Sequence, residues 1–362
     1  MDKKVFITGN EAIGYGAIYA GCTHYFGYPI TPQIEIVEFF AREFPKMGRC
    51  FVQSGSEVSS INMLIGAAAA GVRVMTSTAS TAFSLMQEGL SALAAAELPC
   101  VIVDVQRGGP GAGTTQTAQM DYFQTTRGAH GDYYNIVLAP CNVQENCDFV
   151  QLGFYLADKY RQPVIIMTDG LVGQMKEDVV LRFIEFGSLP EKKEWALRGS
   201  AGRDYSRSYL HNYPGFGVFG RYNSYLEYLK GVNEKYEKMA SSEVRYQAYE
   251  LDDADIVLVS YGSTARAALG ALYQAREEGI KVGMVRPITL WPFPEKAVKE
   301  VASKVDKLLV VEDSIGQMVK DVKAAVEGEA EVHLLGIFGR HLQNTSGMIF
   351  PDTILQEIRR LV

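Results

Sequence analysis

Cys100-Val101-Ile102-Val103-Asp104-Val105 is an almost continuous apolar run that opens directly into Gln106-Arg107-Gly108-Gly109-Pro110, a stretch that cannot prolong a strand. Apolar residues without alternation suit a strand covered on both faces, the habit of parallel sheets. Two further stretches, Tyr28-Pro29-Ile30-Thr31-Pro32 and Gln53-Ser54-Gly55-Ser56-Glu57, likewise follow apolar runs with Pro, Gly or Ser. All three read as strand-end loops of one parallel sheet. Ligands collect outside the carboxyl ends of such strands, so the Thr31 hydroxyl, the Glu57 carboxylate and the Arg107 guanidinium are expected to share a crevice suited to a small anionic substrate.

Outward from this strand, helices and strands alternate over residues 10–170. Asn10 is placed to cap a helix running to residue 26, and residues 33–44 repeat apolar side chains at helical spacing. Strands are expected at 50–53, within 72–78, at 135–138 and at 163–168. Helices are expected at 58–70, 82–97, a stretch ending at 128, and 142–160. This βα repetition predicts right-handed crossovers and a mainly parallel sheet. Between residues 174 and 251 the alternation stops, and the segment, including Arg203-Asp204-Tyr205-Ser206-Arg207-Ser208-Tyr209, reads as a strandless connector with one helix near 222–239 that packs on a domain or a partner. A second α/β unit follows, with strands at 255–260, 282–285, 308–311 and 332–335. Its helices are expected at 262–278, capped by Gly262-Ser263-Thr264, and at 295–303, 317–326 and 351–360.

A chain of 362 residues exceeds one ordinary core and predicts two domains, and 47% hydrophobic residues can fill both. The formal charge of −7, with scattered Lys and Arg, argues against nucleic acid or an anionic membrane as partner. No stretch approaches a membrane span, and the N-terminus runs straight into structured sequence, so the expectation is a cytoplasmic protein. Cys22, Cys50, Cys100, Cys141 and Cys147 form no CxxC pair and read as buried thiols, with neither disulfide, zinc nor cluster spacing. Any iron-sulfur centre is then expected on another chain.

Several motifs have plain alternatives. Gly9, Gly14 and Gly16 reverse the dinucleotide-binding order and suit close helix packing instead. The Gly108 to Thr115 loop could cradle phosphate through its N–H groups, although such loops are common. Arg107 at its root can grip a carboxylate with two parallel hydrogen bonds or make an ordinary interdomain ion pair. From spacing alone Glu57 is a first-turn helix residue that complements the dipole, and Thr31 a turn hydroxyl. His24 and His130 carry weaker claims, and no Ser-His-Asp order or metal-ligand cluster stands out.

Together, Tyr-Pro-Ile-Thr-Pro at 28–32, Gly-Ser-Glu at 55–57, Val-Gln-Arg-Gly-Gly-Pro at 105–110 and Gly-Asp-Tyr at 131–133 resemble the alpha subunit of 2-oxoacid:ferredoxin oxidoreductases, over nearly the whole chain. The resemblance implies an α/β thiamine diphosphate-binding fold: residues 1–175 as a pyrimidine-type domain, 176–250 as connector, and 251–362 as a smaller transketolase C-terminal-like domain. The Arg-Gly-Gly-Pro loop is more similar to the 2-oxoglutarate and branched-chain members than to the pyruvate enzyme. A start directly at the pyrimidine domain, without a fused gamma domain, looks most like the ketoisovalerate type.

By this resemblance Glu57 matches the glutamate that hydrogen-bonds the aminopyrimidine and activates the cofactor. Pro29, Ile30 and Thr31 line the cofactor, Thr31 with a substrate-side hydroxyl, and Arg107 holds the 2-oxoacid carboxylate. The family's Gly-Asp-Gly and following Asn, which hold Mg2+ and diphosphate, have no match, since Gly131-Asp132 and Asp169-Gly170 lack that context. The resemblance therefore implies a beta subunit carrying the diphosphate half with Mg2+, and gamma and ferredoxin-like delta subunits with iron-sulfur clusters. It also implies coenzyme A as acyl acceptor and 3-methyl-2-oxobutanoate or 2-oxoglutarate as substrate. A noncatalytic scaffold subunit is the alternative from another class.

Overall fold

The structure, a computed structural model, describes residues 3–189, 196–197, 224–339 and 348–362. The aromatic and charged run at 203–209 lies outside the described residues. Strand β1 (Lys3–Thr8) ends in a reciprocal cap: the Thr8 hydroxyl accepts the Glu11 N–H at 3.1 Å while the Glu11 carboxylate accepts the Thr8 N–H at 3.0 Å, starting α1 (Gly9–Tyr19). Asn10, expected as the cap, lies inside the helix, where its amide donates to the Pro32 carbonyl at 2.9 Å and to Glu35 at 2.8 Å. Nor does the helix reach residue 26. Gly21, with φ 73°, turns the chain into β2 (His24–Gly27), whose aromatic side chains serve a strand better than a helix end.

The chain continues through α2 (Ile34–Glu43), β3 (Cys50–Gln53), α3 (Glu57–Ala69) and β4 (Val74–Thr78). The single helix expected at 82–97 is two, α4 (Thr81–Ser84) and α5 (Gln87–Ala95), broken where Met86 turns inward and Leu85 stays exposed. Then come β5 (Cys100–Gln106), α6 (Tyr122–Arg127), β6 (Ile136–Leu138), α7 (Val143–Tyr160), β7 (Pro163–Asp169) and α8 (Gly170–Gln174). The stretch read as strandless holds β8 (Lys176–Leu181), α9 (Tyr225–Ser242) and β9 (Tyr246–Tyr249). β8 (Lys-Glu-Asp-Val-Val-Leu) is half charged, β9 (Tyr-Gln-Ala-Tyr) is short and mostly exposed, and both sit at edges, a weak signal beside a buried strand. Next are β10 (Ile256–Ser260), α10 (Gly262–Glu277), β11 (Val282–Pro287), β12 (Thr289–Trp291), α11 (Glu295–Ala302), β13 (Lys307–Val311), α12 (Met318–Val326), β14 (Glu331–Leu335) and α13 (Pro351–Leu361).

A seven-stranded sheet has the order β12-β6-β7-β5-β4-β2-β3 and is parallel except for β12. Its central strands β4, β5 and β7 are buried at every position, as the apolar run at 100–105 predicts. A five-stranded sheet, β14-β13-β10-β11-β9, is parallel except for β9, and β1 pairs antiparallel with β8. Because β12 leaves the second unit to join the first sheet, one apolar core runs from Ile61 and Leu90 through Tyr122 and Leu290 to Val257 and Leu308. On the opposite face α1 meets α7 and α8 closely enough to need glycine. A Cβ on Gly9 would stand 1.9 Å from the Val172 carbonyl oxygen, and one on Gly16 would stand 2.4 Å from that of Cys147. The five cysteines are free thiols, three of them buried.

Candidate functional site

Because β2, β3, β4, β5 and β7 are parallel, the loops that follow them emerge on one edge of the sheet. The loop after β2 is shaped by Gln33. Its N–H donates to the Ile30 carbonyl at 3.0 Å, its side-chain amide donates to the Tyr28 carbonyl at 2.9 Å, and its amide oxygen accepts the Ser77 hydroxyl at 2.6 Å. Tyr25 reaches the same Ser77 at 2.6 Å, so Pro29, Ile30 and Thr31 are held by a buried polar chain anchored on β4. The Thr31 hydroxyl makes no hydrogen bond among the described residues.

The loop after β3 is joined to β2 by the Ser54 N–H on the Gly27 carbonyl at 3.0 Å. Ser56 caps α3 by accepting the Ser59 N–H at 3.2 Å, so the capping duty that spacing alone assigns to this turn falls to Ser56. Glu57 is the first helical residue and is only 6% exposed. Its carboxylate has neither a hydrogen bond nor an ion pair among the described residues, and its oxygens are not sealed off from the surface, so they stay available to a ligand at the sheet edge. The helix N-terminus supplies the electrostatic support for that charge.

Arg107 follows β5. Its guanidinium donates to the Thr31 carbonyl at 2.8 Å and to the Ala112 carbonyl at 3.0 Å, which leaves its other N–H groups for a ligand. Thr31 and Arg107 are thus brought together directly. Glu57 stands on the same edge, with β4 and β2 between its strand and that of the Arg107 loop, and makes no hydrogen bond to either residue. In the glycine loop three N–H groups are already engaged, Gly108 donating to the Gln116 carbonyl at 3.0 Å, Thr114 to the Gly108 carbonyl at 2.9 Å, and Gly109 to the Met120 sulfur at 3.2 Å, so these three do not face a phosphate. His130 is exposed on its own loop, away from these contacts.

Asp169 has another task. Its carboxylate accepts the N–H groups of Leu171 and Val172, both at 3.0 Å, and that of Ser263 at 3.1 Å. It therefore caps α8 and, across the joint between the sheets, α10, where a Gly262-Ser263-Thr264 cap was expected. Burial raises its pKa from the usual carboxylate value, and the Ser263 contact opposes that shift. Gln119 completes the joint by donating to the Asp313 and Tyr261 carbonyls, both at 2.8 Å, and accepting the Thr264 hydroxyl at 2.9 Å.

Sequence reasoning missed two buried carboxyls under the Arg107 loop. Asp104, on β5, accepts the Ser80 N–H at 2.9 Å. Asp121, at the start of α6, accepts the Ser80 hydroxyl and, at 2.6 Å, the Gln124 amide. Burial pushes Asp121 up to about 6 against the pull of its hydrogen bonds and of Arg107, and pushes Asp104 well above the carboxylate range, with Asp121 adding to the rise. The available signal was an Asp in an otherwise apolar strand. Among the described residues no group of three or more His, Cys, Asp or Glu is placed to hold a metal ion, and no helix is long and apolar enough to cross a membrane.

Comparison with known proteins places this geometry. Residues 15–248 match the family described as pyruvate flavodoxin/ferredoxin oxidoreductase, thiamine diphosphate-binding, and residues 254–345 match pyruvate:ferredoxin oxidoreductase core domain II. The ketoisovalerate oxidoreductase subunit VorB of Methanothermobacter marburgensis is 48% identical over 359 residues, covering 98% of this chain and 97% of that one. The 2-oxoglutarate synthase subunit KorA of the same organism is 37% identical over 377 residues, covering 99% of each. The 2-oxoglutarate:ferredoxin oxidoreductase of Magnetococcus marinus, solved with 2-oxoglutarate, coenzyme A and succinyl-CoA bound, superposes with a TM-score of 0.85 at 25% identity, covering 99% of this chain and 65% of that one. A split-gene transketolase shares the fold, with a TM-score of 0.61 at 16% identity. The fold is thus the α/β thiamine diphosphate-binding fold, and the chain belongs to the 2-oxoacid:ferredoxin oxidoreductases as an enzyme subunit.

Proposed function

We propose that this chain is the alpha subunit of a coenzyme A-acylating ketoisovalerate:ferredoxin oxidoreductase, which oxidatively decarboxylates 3-methyl-2-oxobutanoate to acyl-CoA and CO2 while reducing ferredoxin. The observation that carries the reading is Glu57, a mostly buried residue whose carboxylate the described residues leave unpartnered at the sheet edge. A carboxylate that the fold leaves without a donor fits a ring nitrogen that shares a proton with it, which is what an aminopyrimidine offers. Pro29, Ile30 and Thr31, fixed by Gln33, would line the same ring. When bound, thiamine diphosphate supplies the nucleophilic carbon and the electron sink for decarboxylation.

The chain's own residues supply position and proton. Glu57 holds a proton at the ring nitrogen, the Thr31 hydroxyl meets the substrate side, and the remaining N–H groups of Arg107 grip the 2-oxoacid carboxylate. Identity of 47–48% to two ketoisovalerate oxidoreductase subunits, against 37–38% to several 2-oxoglutarate synthase subunits, supports the branched-chain substrate. We assign the Mg2+-diphosphate half of the site to a beta subunit, and the iron-sulfur clusters to gamma and ferredoxin-like delta subunits. The exposed Val58 and Met63 on α3, beside Glu57, suit such a docked partner.

The test is reduction of a viologen dye by the chain purified with its co-expressed neighbours, driven by different 2-oxoacids with coenzyme A present. Faster reduction with 3-methyl-2-oxobutanoate than with 2-oxoglutarate is expected. The reverse order would replace the substrate, and no 2-oxoacid-dependent reduction by an assembled complex would leave a scaffold.

A further inference from the structure

Ser80, between β4 and α4, has φ 36° and ψ −95°, a conformation that a residue with a side chain rarely adopts. Polar bonds on every side hold it there, the Gln124 amide on its carbonyl at 3.0 Å and the Arg107 carbonyl 3.1 Å from its hydroxyl among them. Its N–H donates to Asp104, its hydroxyl donates to Asp121, and its oxygen accepts the Arg107 N–H at 2.8 Å. The backbone of Arg107 therefore hangs from a serine whose own conformation is set by two buried carboxyls.

Asp104 is fully buried, and its second oxygen, Oδ2, finds no donor in the protein. It is close enough to Asp121 for each to act on the other's acidity. The titratable groups facing the pair are the Arg107 guanidinium from the loop after β5 and the Tyr261 phenol from the end of β10. The other partners, Ser80 and Gln124, are neutral donors. Two negative charges in this space would repel without water to screen them, whereas one retained proton gives Asp104 a hydrogen to offer Asp121.

We propose that Asp104, Ser80 and Asp121 form a positioning element for Arg107, in which one proton shared by the two carboxyls keeps Ser80 turned toward the Arg107 backbone. The inference rests on reading Arg107 as the residue that meets the substrate carboxylate. Neither aspartate touches substrate. Loss of the shared proton puts a second charge beside Asp121, loosens Ser80, and shifts the guanidinium from the position in which it also holds the Thr31 carbonyl.

Carboxyls whose pKa is raised in the folded state bind protons more tightly folded than unfolded. The native state is thus favoured at low pH, and that advantage fades as pH rises through the raised values. The experiment measures KM and kcat for the 2-oxoacid in the assembled complex from about pH 6 to 9, for the wild type and for Asp104→Asn, Asp121→Asn and Arg107→Lys, with thermal melts of the full chain over the same range. The wild-type KM is expected to climb by up to about tenfold toward alkaline pH while kcat holds. Asp104→Asn, whose amide keeps a donor that cannot ionise, should flatten the climb. Asp121→Asn, whose one oxygen can accept from only one of the Ser80 and Gln124 donors while its NH2 faces the other, should raise KM about tenfold at every pH. In the melts, wild type should lose stability relative to Asp104→Asn as pH rises. Superimposable KM profiles for wild type and Asp104→Asn overturn the positioning role, even if Asp121→Asn fails to fold. An unaltered KM in Arg107→Lys overturns instead the substrate reading of Arg107, and the melts then decide the shared proton on their own.

Discussion

Glu57 and Glu312 are both buried glutamates set where a parallel strand gives way to a helix, one on the edge of the seven-stranded sheet and one on that of the five-stranded sheet. The fold uses all of Glu312. Its oxygens accept the N–H groups of Gln317 at 3.1 Å, Met318 at 3.0 Å and Val319 at 2.9 Å, and the Ser314 hydroxyl at 2.9 Å, which together start α12. At α3 that work is done by Ser56, and Glu57 accepts nothing. Among the described residues the fold gives the Glu312 oxygens a full set of donors and leaves those of Glu57 free at the sheet edge, which marks where chemistry, not architecture, selects the side chain.

The sharpest way to break this contrast is the same substitution at both sites. Glu57→Gln keeps shape and polarity but removes the proton-sharing group, and turnover of the assembled complex should fall about 10²- to 10⁴-fold with the melting temperature nearly unchanged. Near-normal turnover in an assembled variant would remove Glu57 from the chemistry. Glu312→Gln should do the opposite. It weakens charge-assisted bonds to α12 and should destabilise by about 2–3 kcal/mol while folded enzyme keeps its turnover per site. Equal melting shifts for the two variants would show that both glutamates are structural.

Much of this edge is legible in sequence because parallel strands announce themselves. The run at 100–105 fixes β5, and the Pro, Gly and Ser of each following loop locate Thr31, Glu57 and Arg107 on a common edge. The strands β2, β8, β9 and β12 are hidden for physical reasons. They are short or lie at edges, so pairing rather than composition decides them, and β12 belongs to a sheet whose other strands lie more than a hundred residues earlier. The polar ties are hidden too. Gln119 on Asp313, Asp169 on Ser263 and Ser80 on Asp104 join residues far apart in the chain, and local spacing carries no record of them.

Arg107 sits between the two cases, since it serves the fold through the Thr31 and Ala112 carbonyls and keeps N–H groups for a ligand. Lysine can replace the charge but not two diverging donors. Arg107→Lys should raise KM for the 2-oxoacid by about tenfold while leaving cofactor affinity almost unaltered. A titration in which cofactor affinity falls as far as substrate affinity would make Arg107 a strut of the loop, closer to Glu312 than to Glu57.

The smallest effect isolates the division of labour within one turn. Ser56 and Glu57 are neighbours, yet only Ser56 bonds to the helix start, through the Ser59 N–H at 3.2 Å and the Ser59 hydroxyl at 3.0 Å. Ser56→Ala removes the cap and should cost about 1 kcal/mol, a melting shift of a few degrees at most. Because α3 is also anchored by Ile61, Leu64 and Ala68 in the core, the helix should persist and Glu57 should stay at its head. Turnover should then fall by no more than about threefold, far from the loss in Glu57→Gln. Thermal melts and viologen-linked rates on the same preparation measure both quantities. If Ser56→Ala stops turnover in a folded, assembled complex, the cap and the carboxylate act as one unit, and the separation of architecture from chemistry at this helix start fails.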